Sequence, residues 1–181
     1  MYKHTKSRLA LALTTRASTV DAFLNLHDPV LGIAQQRPYC PARPASPEFQ
    51  RAALCSFISE IFFEQNGITT AFENFISPDY IQHSLFILSG RNNTLSLLES
   101  LGGGTYTGVI IAILHVMFDS PFGMMHYKFQ VPGQQPQAFM HLWRFNGTCI
   151  EEHRDVIQSL PANATSPIAL FQRSGEFVLA G

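Results

Sequence analysis

The run from Val109 to Pro161 constrains this chain more than any other stretch. Its apolar and aromatic residues come in blocks separated by Asp119-Ser120-Pro121, Pro132-Gly133 and Asn146-Gly147. Turn chemistry at that spacing predicts four strands joined by short connections. His115, His126, His141 and His153 fall one in each block. Strands that each carry one imidazole predict a sheet wrapped around a polar-lined pocket.

The residues before this run read as helices. Ser46-Pro47-Glu48 is a helix start, with a capping hydroxyl, a proline at the first position and an acid in the first turn. Leu54, Phe57, Ile58, Ile61 and Phe62 then form one apolar stripe on a helix ending near Gly67. Thr69 or Thr70 is expected to cap a second short helix through Phe72, Phe75 and Ile76, stopped by Ser77-Pro78. Tyr80 to His83 reads as extended. Asn93 or Thr94 is expected to start a third helix, closed by Gly102-Gly103-Gly104. That glycine run is no phosphate loop, because no Lys-Ser/Thr pair follows it. Helices first and strands after predict an α+β domain, with three helices on a curved, mostly antiparallel sheet in a cone-shaped barrel.

The flanks read differently. Residues 1–45 form an N-terminal tail with a possible short helix over 21–33 and a proline-rich linker, Arg37 to Pro47. The domain is placed at 46–172. Ile168, Leu170 and Phe171 are expected to dock as a covering tail, and 173–181 form a C-terminal tail. The basic start, with Lys3, Lys6, Arg8 and Arg16 before the first acid, resembles a mitochondrial presequence, but a frayed tail and a cytoplasmic location are the simpler reading.

Composition narrows the partners. Charged residues make up only 14% of the chain, against roughly 25% in an average globular protein, so part of the surface is expected to lie against a second copy in a homodimer. The net charge of -1 has no basic stripe behind it, which excludes a nucleic-acid role, and no run is long enough to span a membrane. Cys40, Cys55 and Cys149 are odd in number and far apart, and read as reduced intracellular thiols. Asn92-Asn93-Thr94, Asn146-Gly147-Thr148 and Asn163-Ala164-Thr165 match the glycosylation acceptor pattern, which has meaning only in a secreted chain. The apolar run Leu9 to Leu13 is too short for a signal-peptide core and is followed by Arg16, so the three read as chance matches.

Several short motifs occur in a familiar order. They are Tyr80-Ile81-Gln82-His83, then Gly90, then Leu142 to Gly147, then Ile150-Glu151-Glu152-His153-Arg154-Asp155-Val156-Ile157-Gln158 with Pro161. Together they resemble the SnoaL-like family, in its aldol-condensation branch, within the nuclear transport factor 2-like superfamily. The resemblance runs from about Glu48 to Phe171. It implies the cone-shaped fold and an enzyme that works without metal or cofactor, binding a small hydrophobic, carbonyl-bearing substrate. His83, His126, His153, Asp155 and Gln158 match family positions, and Asp119 lies near another. Three departures stand out. The family's Asn-Pro after the first histidine is Ser84-Leu85 here, its usual acid–base aspartate is His141, and its tryptophan before Asp155 is Arg154.

The chemistry expected is proton transfer. It needs a base with a suitable pKa and a donor for a developing oxyanion. His141 is the first choice for base or acid, with His83, His126 and Asp155 in support, and His126 is a possible cross-strand partner of His141. Tyr80, Gln82, Trp143, His153 and Gln158 are expected to bind substrate. The products would be those of cyclisation, isomerisation or aldol-type condensation, of a secondary or polyketide-type metabolism. The alternative is a dimeric ligand-binding module of the same fold without turnover. The deciding arrangement is whether His141, His126 and His83 converge inside one closed pocket; scattered over the surface, they would count against the enzyme. Four strand histidines could also ligate a metal, but no HxH or HxxxH pair occurs, so none is expected.

Overall fold

The computed structural model of the protein describes residues 36–64, 67–101, 108–166, 168–171 and 179–180. The expected helix over 21–33, the basic tail and the glycine run at 102–104 lie outside the described residues. Helix α1 (Pro47–Phe63) starts as its sequence dictates: the Ser46 hydroxyl accepts from the Phe49 amide at 3.2 Å, and Pro47 opens the first turn. Helix α2 (Gly67–Phe75) begins earlier than the Thr69 or Thr70 cap predicted. It runs straight into strand β1 (Ile76–Gln82). Ser77-Pro78 does not break the chain but lies within β1. That proline is tolerated because β1 is an edge strand paired only with β5, and its pairing is interrupted between Ile76 and Ile81. Helix α3 (Arg91–Ser100) starts two residues before Asn93, with Gly90 ahead of it at φ 111°, a conformation glycine adopts freely.

The predicted strands follow: β2 (Ile110–Asp119), β3 (Phe122–Gln130), β4 (Gln137–Asn146) and β5 (Cys149–Ser159), with a short β6 (Leu179–Ala180) added at the far edge. The order is β1-β5-β4-β3-β2-β6, and only the β1–β5 pair is parallel. The helices cover one face of this curved sheet, as an α+β cone requires. Phe57 of α1 meets Trp143 of β4 edge-on at 5.7 Å, and Phe62 meets Tyr127 of β3 at 5.3 Å. Leu54, Phe57, Ile58, Ile68, Phe75, Ile76, Met125, Phe145 and Ile150 are fully buried between the layers. Gly123 permits the closest approach, since a Cβ there would strike the Leu54 side chain.

The proline-rich segment is extended, as expected, but it is docked on the domain. Tyr39 is buried against Phe49 and Phe75. Arg37 pairs with Glu60 at 2.6 Å. The Thr148 amide donates to the Arg43 carbonyl at 2.9 Å, and the Thr148 hydroxyl donates to the Tyr39 carbonyl at 2.5 Å. Cys40 and Cys149 are joined as a disulfide, their Cα atoms 5.2 Å apart. This corrects the reading of three reduced thiols. Sequence separation hid the pairing, because the segment returns across the turn where β5 begins. Only Cys55 is free.

Candidate active site

The site grows out of the β4–β5 hairpin. Antiparallel pairing sets His141 opposite Asp155 and Trp143 opposite His153. Residues two apart share a face, so all four point to the concave side, under the helices. The neighbouring strand adds Tyr127, and Gln82 arrives from β1. His141 lies between flat rings: Trp143 stacks at 5.2 Å and Tyr127 at 5.3 Å between centroids.

These groups form one hydrogen-bonded chain. The Tyr127 hydroxyl lies 2.9 Å from His141 Nε2, His141 Nδ1 lies 2.5 Å from His153 Nε2, and His153 Nδ1 lies 2.8 Å from Gln82 Oε1. The chain has a direction. The Ser84 backbone N–H can only donate, and it donates to Gln82 Oε1 at 3.1 Å, which identifies that atom as the amide oxygen. An amide oxygen only accepts, so His153 carries its proton on Nδ1. Its Nε2 then accepts from His141 Nδ1–H, and His141 Nε2 accepts from the Tyr127 hydroxyl. The far end is anchored as well: the Ser84 hydroxyl donates to Asp155 Oδ2 at 2.6 Å, and Gln82 Nε2 approaches the Thr94 hydroxyl at 3.5 Å.

Burial sets the charge. Desolvation, with the neighbouring His153, holds His141 well below the usual histidine value. Desolvation also pushes His153 down, to about 4, while the nearby Asp155 works in the opposite direction. Both imidazoles are therefore neutral at neutral pH, as the directional chain requires. Tyr80 is buried beside Phe72, and burial together with Asp155 raises its hydroxyl pKa, so it stays protonated.

His141, His153 and Asp155 each place one ligand atom within 4.8 Å of the others, a set that could hold a metal ion. The sequence expectation of no metal rested on spacing within strands and did not anticipate ligands brought together from two strands.

The predicted site residues divide between the faces. His141, His153, Asp155, Gln82, Trp143 and Tyr80 gather on the concave side. His83 does not join them; it follows Gln82, so parity turns it to the convex face, where it meets Glu152 at 2.8 Å. There Glu152 also binds Arg144 and Arg154, each at 2.5 Å, and these cations hold its carboxyl at about 2. His126 pairs in register with Met140, one residue from His141, and so points to the convex side. It stacks there on His115 at 5.7 Å. The proposed His126–His141 pairing is thus corrected by a single step of register. Gln158 is exposed near the end of β5, on the parity of the convex face, and Asp119 is exposed at the end of β2. His141, His126 and His83 do not converge, so the arrangement expected of an enzyme is absent in that form; the companion of His141 is His153.

Two participants were missed. Tyr127 sits two residues from Met125, which pairs with His141, so it shares that face. Ser84, a departure from the family motif, donates its backbone N–H to Gln82 and its hydroxyl to Asp155. The His141–His153 contact was not legible from the Asn146-Gly147 turn: counted from the Asn146–Cys149 pair, His153 would fall opposite Leu142, and the irregularity between Arg144 and Phe145 moves it opposite Trp143, onto the face of His141.

No protein-family model matches the chain, and no characterised protein matches its sequence. Solved structures do match its fold. An NTF2-like protein of unknown function from Burkholderia xenovorans LB400 superposes with a TM-score of 0.52 at 13% identity, over 65% of this chain and 89% of that one. A candidate SnoaL-like isomerase from Agrobacterium tumefaciens gives 0.48 at 9%, over 61% and 98%. A candidate polyketide cyclase from Acidithiobacillus ferrooxidans gives 0.46 at 14%, over 60% and 87%. At these identities the likeness speaks for the fold alone.

Proposed function

We propose, for this chain with the nuclear transport factor 2-like fold, that the Tyr127–His141–His153–Gln82 chain transfers a proton to and from a small hydrophobic carbonyl compound, without metal or cofactor. The observation that carries this reading is the hydrogen-bonded pair of neutral imidazoles, with the Tyr127 hydroxyl bonded to the His141 ring. His153 is buried, whereas His141 keeps some exposed surface and is the ring a bound molecule would meet.

The step follows from the bonding. A substrate carbonyl takes the Tyr127 hydroxyl as its donor, which frees the lone pair of His141 Nε2. That lone pair accepts the proton lost from the carbon next to the carbonyl, and the carbon–hydrogen electron pair becomes the enolate, held by Tyr127. The imidazolium so formed shares its charge through Nδ1–H with His153, close to Asp155. A base held well below the ordinary histidine value is weak. The substrate best suited to it carries an acidic C–H, as between two carbonyls, which fits cyclisation, isomerisation or aldol-type chemistry on a polyketide-like chain.

The second reading, a ligand-binding module without turnover, is favoured by the fact that both ring nitrogens of His141 already have partners within the chain. Deuterium exchange into a slowly exchanging β-keto ester, followed by NMR, separates the two. The enzyme reading expects exchange above the buffer rate and a loss of about 10²–10⁴-fold in His141→Gln. Exchange at the buffer rate with the wild-type protein, for every ester that binds, would leave the module.

A homodimer through the convex face is part of the same proposal. Register sets His115, His126, Met140 and Val156 in one row across that face. Met117, Met140, Val156 and Ile81 are all exposed there. A row of large apolar side chains beside the Glu152 ion cluster suits a second copy of the chain.

A further inference from the structure

We infer that this chain matures in an oxidising, glycosylating compartment, as a disulfide-bonded protein with N-linked glycan on one or more of Asn92, Asn146 and Asn163. The inference rests on the cysteine pair and the acceptor triplets, so it stands apart from the proton-transfer reading.

The disulfide is built into the fold. Cys40 and Cys149 are separated by 109 residues yet sit with Cα atoms 5.2 Å apart, inside the range a disulfide requires. Both are buried, at 8% and 1% exposure. The backbone on both sides is held independently: the Tyr39 amide donates to the Asn74 carbonyl at 2.8 Å, and the Arg43 amide donates to the Thr148 hydroxyl at 3.1 Å. The two thiols are thus delivered to each other by packing, so the pairing is specific. Structural disulfides persist in secreted and lumenal proteins and are rare where thiols are kept reduced. To form the bond, the two thiols give two electrons and two protons to a protein disulfide, which is reduced to two thiols in exchange.

That finding changes the weight of the three acceptor triplets, which matter only in such a compartment. Each has threonine in third place and no proline between: Asn93, Gly147 and Ala164 occupy the middle positions. All three asparagines are exposed, in the first turn of α3, at the end of β4 and in the segment after β5. Thr94 and Thr148 are buried in the fold. Transfer to the unfolded chain precedes that burial, and in the folded chain only the asparagine must face solvent. Asn146 Nδ2 donates to Glu151 Oε1 at 2.7 Å, and a glycosylated amide keeps one N–H for that bond. In the transfer, each Asn Nδ2 loses a proton and bonds to the anomeric carbon of a lipid-pyrophosphate-activated sugar. The sugar's C–O bond breaks and the lipid pyrophosphate leaves. Glycans would also solvate a surface with few charges, and this placement replaces the cytoplasmic one expected from the cysteine count and the short Leu9–Leu13 run.

The test uses the full chain isolated from the cells that express it. Non-reducing peptide mapping reads the cysteines, and release by a peptide-N-glycosidase in ¹⁸O-water marks each occupied asparagine as labelled aspartate. The expected result is a Cys40–Cys149 cross-linked peptide and label on at least one of Asn92, Asn146 and Asn163. Unlabelled asparagine at all three, or free thiols at Cys40 and Cys149, overturns the inference.

Discussion

At position 141 an imidazole stands among a tryptophan, a tyrosine and a second imidazole, and that company decides its charge. Burial depresses both rings, His153 to about 4. The unfolded chain therefore takes up these protons at higher pH than the folded chain does. Their contribution to stability is complete above about 6.5 and is lost as pH falls below it, for His153 down to about 4, at up to about 1.4 kcal/mol per pH unit for each ring. Urea denaturation across that window should show the slope, and His141→Phe with His153→Phe should flatten it. Gln82→Leu removes the acceptor of a buried N–H and should cost about 1–3 kcal/mol, measured the same way. At this scale the sequence was partly legible. Polarity and motif order pointed to His141, His153, Asp155 and Gln82. The true partners of His83 and His126 depended on parity, which identity alone does not reveal.

The elements that place these side chains are a hairpin, a bulge and a docked strap. Alternation and turn residues made the strands readable, but not the irregularity between Ile113 and His115 in β2. Before it Ile111 and Ile113 face the core; after it His115 pairs with His126 on the outside. One extra residue reverses every later side chain in that strand, and no composition rule marks where it falls. The strap was legible as extended, because proline forces that, but its docking depends on contacts with Thr148 more than 100 residues away. Gly147 lies under the strap at φ 52°, and a Cβ there would meet the Arg43 carbonyl. Gly147→Ala should therefore destabilise by about 1–3 kcal/mol from backbone strain, plus the displacement of the strap, and thermal unfolding reads it directly. The variant should also expose Tyr39, visible as a change in near-UV circular dichroism.

On the scale of the molecule, the two faces of one sheet divide the work. The concave face carries the neutral relay beneath aromatic rings from α1 and α2. The convex face carries the Glu152 cluster and the apolar row proposed to meet a second copy. Val156→Glu, at the exposed end of that row, should shift the protein from dimer to monomer in light scattering while leaving the fold intact, since Val156 is 68% exposed. Among the described residues no helix is long and apolar enough to cross a membrane. The cone itself was readable from the order of helices and strands, because few architectures bury three apolar helices on one antiparallel sheet.

Two neutral imidazoles, with hydrogen bonds donated in one direction from Tyr127 towards Gln82, underlie the proposed reaction. Long-range ¹H–¹⁵N NMR of histidine-labelled protein at neutral pH reads that arrangement directly. The prediction is that His141 and His153 are both neutral, each with its proton on Nδ1 and a bare Nε2. An imidazolium at either position, or a proton on Nε2 of either ring, would contradict it.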